Sequence, residues 1–320
     1  MRVYILRRVL LMIPTVFFVS LLVFLMIRLI PGNVVDIMIS QYGVIGTTTV
    51  IDRKAIEHLL GWDVPFLVQY GRWMGALILH GDLGNSLWKQ MPVLEMINER
   101  WGVTLELGLL SIIVGQAIAI PIGILSALRQ DTWSDYLGRS IAILAIAVPS
   151  FWVGTLVIVY PSIWWGYMPP LTLIKFTADP IGNLREFIVP AIILGMSTAG
   201  GTMRIMRTMM LEVLRQDYIR TAWAKGLRER TVVIRHALKN ALIPIVTIIG
   251  YQLPVLVGGT VIIENIFSLP GMGRLMIDAT TQRDYTVVSG IMVIFAVAMV
   301  LINLLIDLAY GYIDPRIQYK

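Results

Sequence analysis

Asp217-Tyr218-Ile219-Arg220-Thr221-Ala222-Trp223-Ala224-Lys225-Gly226-Leu227, followed by Arg235-His236-Ala237-Leu238-Lys239-Asn240-Ala241-Leu242-Ile243-Pro244, decides how this chain is built. The two stretches form a polar, basic island between long apolar runs. From Arg204 to Lys239 nine lysines and arginines stand against three acids, in a chain that is 57% hydrophobic and 14% charged. Soluble domains carry about 25% charged residues, so the composition is that of a polytopic membrane protein. A hydrophilic hairpin cannot sit in lipid and must emerge on one side.

Outward from this island, apolar runs predict about six spans. The first, Val9 to Ile30, follows Arg2, Arg7 and Arg8 and would be about 30 Å long as a helix, enough to cross the hydrocarbon core. It is too long for a signal-peptide apolar region and lacks a small-residue cleavage site, so it reads as a retained helix. Val103–Leu128, Ile141–Trp164, Ile188–Ile205, Ala241–Ile263 and Val287–Ala309 follow. Residues 31–100 form the longest hydrophilic insertion, with helical periodicity over Lys54–Leu60 and Pro65–Leu79 and breaks at Gly61, Gly81 and Gly84. With both termini inside, 16 of the 26 basic and seven of the 20 acidic residues are cytoplasmic. The inner balance is then +9 and the outer −3, as the positive-inside rule asks. The domain plan is a membrane helix at 1–30, an extracytoplasmic helical insertion at 31–100 and a core of five spans at 101–320. The core's cytoplasmic loop covers 206–240.

Catalytic sets are not visible. Cysteine is absent, G-x-x-x-x-G-K-[ST] and H-E-x-x-H are absent, and His58, His80 and His236 are scattered. Gly84-Asn85-Ser86 offers a serine, yet no histidine lies in a span to serve as its base. Met203, Met206, Met209 and Met210 fall near one helical face and read as flexible packing rather than a copper relay. Two anchored ends hold the basic run to a membrane surface, which argues against a nucleic-acid role.

Mechanically, Met209–Ala224 has helix-compatible spacing and Gly226 can take the left-handed geometry that ends a helix. A second helix resumes over Thr231–Ala241. The result is a bent projection with a small-residue tip (Ala222, Ala224, Gly226) and an aromatic anchor, Trp223. A plainer reading puts some of the cations at lipid headgroups, Arg204 and Arg207 above all. Within the spans Glu106, Gln116, Gln252 and Asn303 are polar groups that either line a pathway or hydrogen-bond between helices. Gly250-Tyr251-Gln252-Leu253-Pro254 and Gly258-Gly259 predict an interruption of the fifth span, as a hinge or as tight packing.

Several motifs carry a family resemblance: Gly81-Asp82-Leu83-Gly84-Asn85-Ser86, Pro92-Val93, Thr104-Leu105-Glu106-Leu107, Pro149-Ser150-Phe151-Trp152, Ile188-Val189-Pro190-Ala191-Ile192-Ile193-Leu194-Gly195, Phe267-Ser268-Leu269-Pro270-Gly271-Met272-Gly273 and Asp314-Pro315-Arg316. In this order, with the island between the fourth and fifth spans, they resemble ABC-importer permeases of the dipeptide/oligopeptide/nickel branch. The island resembles that family's conserved cytoplasmic loop. It departs from the general pattern, with Arg220 where a leading Glu is usual and Lys239 where a late Pro is usual, as in the peptide branch.

The resemblance implies an all-α membrane protein of the type I importer permease fold in the inner cell membrane. It implies that Asp217, Tyr218, Arg220, Thr221, Ala222, Trp223, Lys225 and Gly226 couple to an ATPase. Implied partners are a homologous second permease, two cytoplasmic ATPases and an extracytoplasmic solute-binding protein. ATP and magnesium would sit on the ATPases, with no cofactor on this chain. Peptides are the leading cargo, with nickel chelates or oligosaccharides as alternatives in the same branch. A stand-alone secondary transporter is the rival class, and it would want membrane-embedded ion-coupling pairs.

Overall fold

The computed structural model describes residues 2–29, 63–168 and 172–313. Among them every regular element is helical, apart from one isolated bridge between Asn85 and Pro92. In chain order these are α1 (Arg2–Leu29), α2 (Phe66–His80), α3 (Val93–Leu128), α4 (Trp133–Ala147), α5 (Ser150–Trp165), α6 (Pro180–Leu214) and α7 (Asp217–Ala224). A short turn, Glu229–Thr231, then enters a π-helical stretch, Val232–Leu238. It is followed by α8 (Lys239–Ile266), α9 (Met272–Thr281) and α10 (Tyr285–Ile313).

Four segments are long and apolar enough to cross a membrane: α3, α6, Glu229–Pro254 and Tyr285–Ile306. The bent pair α4–α5 makes a fifth, and α1 contributes the shorter apolar stretch Leu10–Leu25. The span expected over Ile141–Trp164 is present as a bent pair. The chain turns by 91° between α4 and α5, because Val148 precedes Pro149 and is driven to an extended φ of −88° and ψ of 120°. Each half, 15 or 16 residues, is about 23 Å long and too short to span alone. Together they still track α6. Asp135 meets Arg207, Ala142 shares a cluster with Ala199, and Val153 and Val157 share one with Phe187 and Ala191. Arg207 to Phe187 is about 30 Å of helix.

The chain divides into two compact units, Met1–Glu99 with Met276–Leu301, and Arg100–Leu275 with Ile302–Lys320. In the first, Phe24 of α1 stacks among Phe66, Tyr70 and Trp73 of α2, and the Ser20 and Tyr70 hydroxyls are 2.9 Å apart. The expected helix over Pro65–Leu79 is present as α2. The one over Lys54–Leu60, with Gly61, lies outside the described residues. Gly81 ends α2 at φ 64°. Gly84 sits at φ 82°, where a Cβ would also lie 2.8 Å from the Thr286 methyl, so two constraints require glycine there. Ser86 donates its hydroxyl to Asp284, which also accepts from the Leu87 N–H at 3.1 Å. That serine secures a loop.

In the second unit α3 and α6 cross with almost no side chain between them. A methyl on Gly115 would lie 2.8 Å from the Gly195 carbonyl oxygen, and one on Gly195 would strike the Ser111 carbonyl oxygen. Gly195→Val therefore has to push the helices apart. Overpacking of this kind costs about 1–3 kcal/mol, and a lowered Tm of the purified protein in detergent is the expected result. The predicted interruption of the fifth span is not seen: α8 runs unbroken through Pro244 and Pro254. Gly250 serves packing instead, since a Cβ there would meet Ile306 at 3.2 Å.

Candidate coupling site

The basic island folds as a helical hairpin at one end of the second unit. Sequence spacing suggested one helix over Met209–Ala224, but α6 stops at Leu214, and Arg215 and Gln216 separate it from α7. Gln216 is extended (φ −72°, ψ 148°) and its carbonyl accepts from Ile219 and Arg220, so α7 starts afresh in a new direction. Eight residues are too few to hold a helix in isolation. Tertiary packing holds it. Ile219 and Ala222, three apart on one face, are buried with Met206 and Met210 of α6 and with Val232, Val233 and Ala237 of the π-helical stretch. Met203 is also buried, against Ala142 and Ala199, so these methionines pack. At the far end Gly226 takes φ 73°, as its spacing predicted.

Ala222 was expected at an exposed tip. It faces inward because it shares Ile219's side of α7. The opposite side is largely open among the described residues. Tyr218 and Trp223 are each 44% exposed, and Arg220 and Asp217 form a 3.4 Å surface ion pair. Thr221 donates its hydroxyl to the Asp217 carbonyl at 3.0 Å. Lys225 is exposed beside Gly226. Asn240 donates to the Tyr218 hydroxyl at 2.7 Å, tying α7 to the start of α8. The site thus has a buried apolar base and an exposed face of aromatic, cationic and small polar groups.

The return strand of the hairpin is the π-helical stretch. Three successive β-branched residues, Val232-Val233-Ile234, are poor α-helix formers. The widened turn there buries Val232, Val233 and Ala237 while leaving Ile234 and Arg235 exposed. Such insertions concentrate at functional sites.

Arg207 was read as a lipid anchor. It is instead locked to Asp135 of α4, donating from Nε to Oδ1 at 2.8 Å and from Nη2 to Oδ2 at 2.7 Å. Ser126 of α3 adds its hydroxyl and Asp131 its N–H to the same carboxylate. The pair therefore joins three helices one turn from the methionines under α7. Asp135 has no exposed surface. Asp135→Ala would strand a largely buried guanidinium and is expected to cost about 3–5 kcal/mol. A Tm falling well below that of the Asp135→Asn variant in detergent would register it.

The in-membrane candidates separate. Gln116 and Gln252 come together, Nε2 to Oε1 at 3.0 Å, and Gln252 donates on to Thr202 at 3.1 Å. Glu106 is set apart from this pair, near Asn183; its Oε1 and the Gln116 Oε1 are buried without a hydrogen-bond partner among the described residues. Asn303 is exposed on α10. Sequence reasoning passed over Glu264, a fully buried acid at the end of α8. Its carboxylate accepts from the Thr104 hydroxyl at 2.7 Å and from the N–H groups of Gly273 and Arg274 at 2.7 and 3.2 Å. An acid just before Ser268-Leu269-Pro270-Gly271-Met272-Gly273 was the available signal.

Residues 119–319 match the family described as binding-protein-dependent transport system inner membrane component, and residues 1–108 match its N-terminal counterpart. The dipeptide transport system permease protein DppB of Escherichia coli K12 is 39% identical over 341 residues, covering 99% of each chain. The oligopeptide transport system permease protein AppB of Bacillus subtilis is 37% identical, covering 100% of each. Among solved structures, the MetNI methionine ABC transporter in inward-facing form aligns with a TM-score of 0.56 at 16% identity, over 69% of this chain and 98% of that one. An amino acid ABC transporter aligns at 0.51 and 16% identity, over 68% and 94%. These likenesses establish the fold, and the family matches cover most of the sequence. The chain belongs to the binding-protein-dependent transport system inner membrane components, the permease subunits of ABC importers.

Proposed function

We propose that this permease carries di- or oligopeptides delivered by an extracytoplasmic solute-binding protein. In this reading it pairs with a homologous permease and two cytoplasmic ABC ATPases, which hold the ATP and magnesium. The chain itself binds no cofactor, and both its termini lie in the cytoplasm. Its insertion at 31–100 is then extracytoplasmic and its loop 206–240 cytoplasmic. The observation that carries the reading is α7, seated by Ile219 and Ala222 with Trp223 and Tyr218 left exposed. A partner that grips the exposed face moves α6 and α8 through the buried one. Tyr218, Trp223, Arg220, Lys225 and Thr221 are the contact residues, Asp217 and Gly226 bound the helix, and Ala222 seats it. Only a ligand with different affinities for two states can shift them, so ATP on the partners must supply the drive. Gln116 and Gln252 are the proposed pathway pair, since they are polar groups brought together between α3 and α8. The peptide names of relatives identical at 37–39% over full length support the cargo.

The test is reconstitution with the co-purifying subunits in proteoliposomes, with uptake of labelled dipeptides, oligopeptides, nickel chelates and oligosaccharides compared. ATP- and binding-protein-dependent peptide uptake is expected. Preference for another solute overturns the cargo, and uptake that ignores ATP overturns the importer mechanism.

A further inference from the structure

We propose that the mouth of the small cleft between α3, α4 and α6, where Arg139 and Arg204 are exposed beside the Asp135–Arg207 pair, holds the phosphate of an anionic phospholipid. The cleft is small and apolar-walled, bordered by Gly123, Ser126, Gly138 and Ala142 and by the stems of Arg139, Arg204 and Arg207. Those small residues let the helices close tightly around it. A Cβ on Gly138 would already be 3.3 Å from Ile122 and 3.4 Å from Ser126.

Charge makes it an anion site. Arg207 is neutralised by Asp135, but Arg139 and Arg204 are both exposed, and among the described residues neither has a carboxylate partner. Arg139 rests over the Tyr136 ring, 5.5 Å from its centroid, which fixes the guanidinium without occupying its donors. Asp131 lies close enough to act on Arg207, yet Arg139, Arg204 and Arg207 still outnumber Asp131 and Asp135. A phosphodiester offers the planar pair of acceptor oxygens that guanidinium forks match.

The surroundings favour a lipid over a free anion. Beyond Arg139, α4 presents Ile143 and Leu144, 60% and 59% exposed, one helical turn farther along. Toward its start it presents Trp133, 89% exposed, and Tyr136. Aromatic rings at the helix start, then arginines, then bare aliphatics is the order of a bilayer read from headgroup inward. An acyl chain running down from the cleft would cover Ile143 and Leu144. The site would help fix the end of α4 and α6 that carries the coupling hairpin.

Native mass spectrometry of the intact complex, released from nanodiscs of equal phosphatidylglycerol and phosphatidylcholine, tests this. Wild type should retain phosphatidylglycerol selectively. Arg139→Gln and Arg204→Gln should each weaken retention about fivefold, and together about 25-fold, the size expected for cations at an anionic surface. Arg139→Lys with Arg204→Lys should keep most of it, and Arg185→Ala at the other end of α6 should leave it unchanged. Equal retention in the double glutamine variant overturns the proposal. Displacement of the lipid by inorganic phosphate at fixed ionic strength would assign the cleft to a free anion and also overturn it. Loss of a protein subunit in place of lipid would make the cleft a protein contact, with the same consequence.

Discussion

Ile219→Asp should abolish ATP-driven uptake while leaving the membrane helices folded. Ile219 has no exposed surface, and with Ala222 it is what seats α7 on Met206 and Met210. Removing the buried side chain forfeits about 1.5–3 kcal/mol, and a carboxylate in its place adds a desolvation penalty of several kcal/mol. An eight-residue helix has no reserve against a loss of that size. The hairpin then detaches, and motion of an ATPase no longer reaches α6 and α8. In proteoliposomes uptake should fall more than about 100-fold, the equivalent of losing roughly 3 kcal/mol of coupling. ATP hydrolysis should persist but lose its stimulation by the binding protein, and the Tm of the permease should move by only a few degrees. Ile219→Leu should behave nearly as wild type. Within the permease Arg220→Ala removes a solvent-exposed ion pair with Asp217, so it should not unseat the helix. Full uptake by Ile219→Asp would show that α7 does not act through its buried face.

Glu264→Ala is the second large effect, and it falls on stability. The Glu264 carboxylate closes the first turn of α9 by accepting from Gly273 and Arg274, while Thr104 donates to it and accepts from the Met272 N–H at 2.8 Å. Helix N-termini carry unpaired donors and positive partial charge, which a carboxylate offsets. The surroundings are built to this shape, since a Cβ on Gly271 or Gly273 would collide with the Glu264 carboxyl group. Alanine leaves several buried donors unpaired at about 1–3 kcal/mol each. The expected outcome is about 3–5 kcal/mol of destabilisation and poor recovery from membranes. Glutamine should not rescue it fully: with its carbonyl oxygen on Gly273 and Arg274, its NH2 stands where an oxygen accepted from Thr104, and it cannot accept. Tryptophan-fluorescence melting in nanodiscs measures both variants. A Glu264→Gln protein melting with wild type would contradict this role.

Much of the fold was legible because apolar run length and charge asymmetry are large, additive signals. The positions of α3, α6, α8 and α10 follow from them, as does the helical hairpin from a basic island bounded by Gly226. What escaped depends on one or two residues acting locally. Pro149 sits inside an apolar run that hydropathy alone reads as continuous, yet its effect on Val148 turns the chain by 91°. Conversely, Gly250 and Pro254 read as breakers, but neighbouring helices keep α8 intact. The helix-compatible pattern of Met209–Ala224 gave no sign of the stop at Arg215-Gln216. That stop in turn decides that Ala222 faces inward. Partners distant in sequence were the hardest to see. Arg207 and Asp135 are 72 residues apart, and Glu264 and Thr104 are 160 apart; nothing local marks such pairs. The exposed groups of the hairpin were readable as a surface from charge and aromatic content, but the burial of Ala222 was not.

Photocrosslinking from position 223 of the assembled complex tests the central claim most directly. A photoreactive amino acid in place of Trp223 should form an adduct with a P-loop ATPase subunit, with a yield that changes when ATP is added. An adduct confined to lipid, or none to any ATPase, would contradict the account and return the basic hairpin to the role of a membrane anchor.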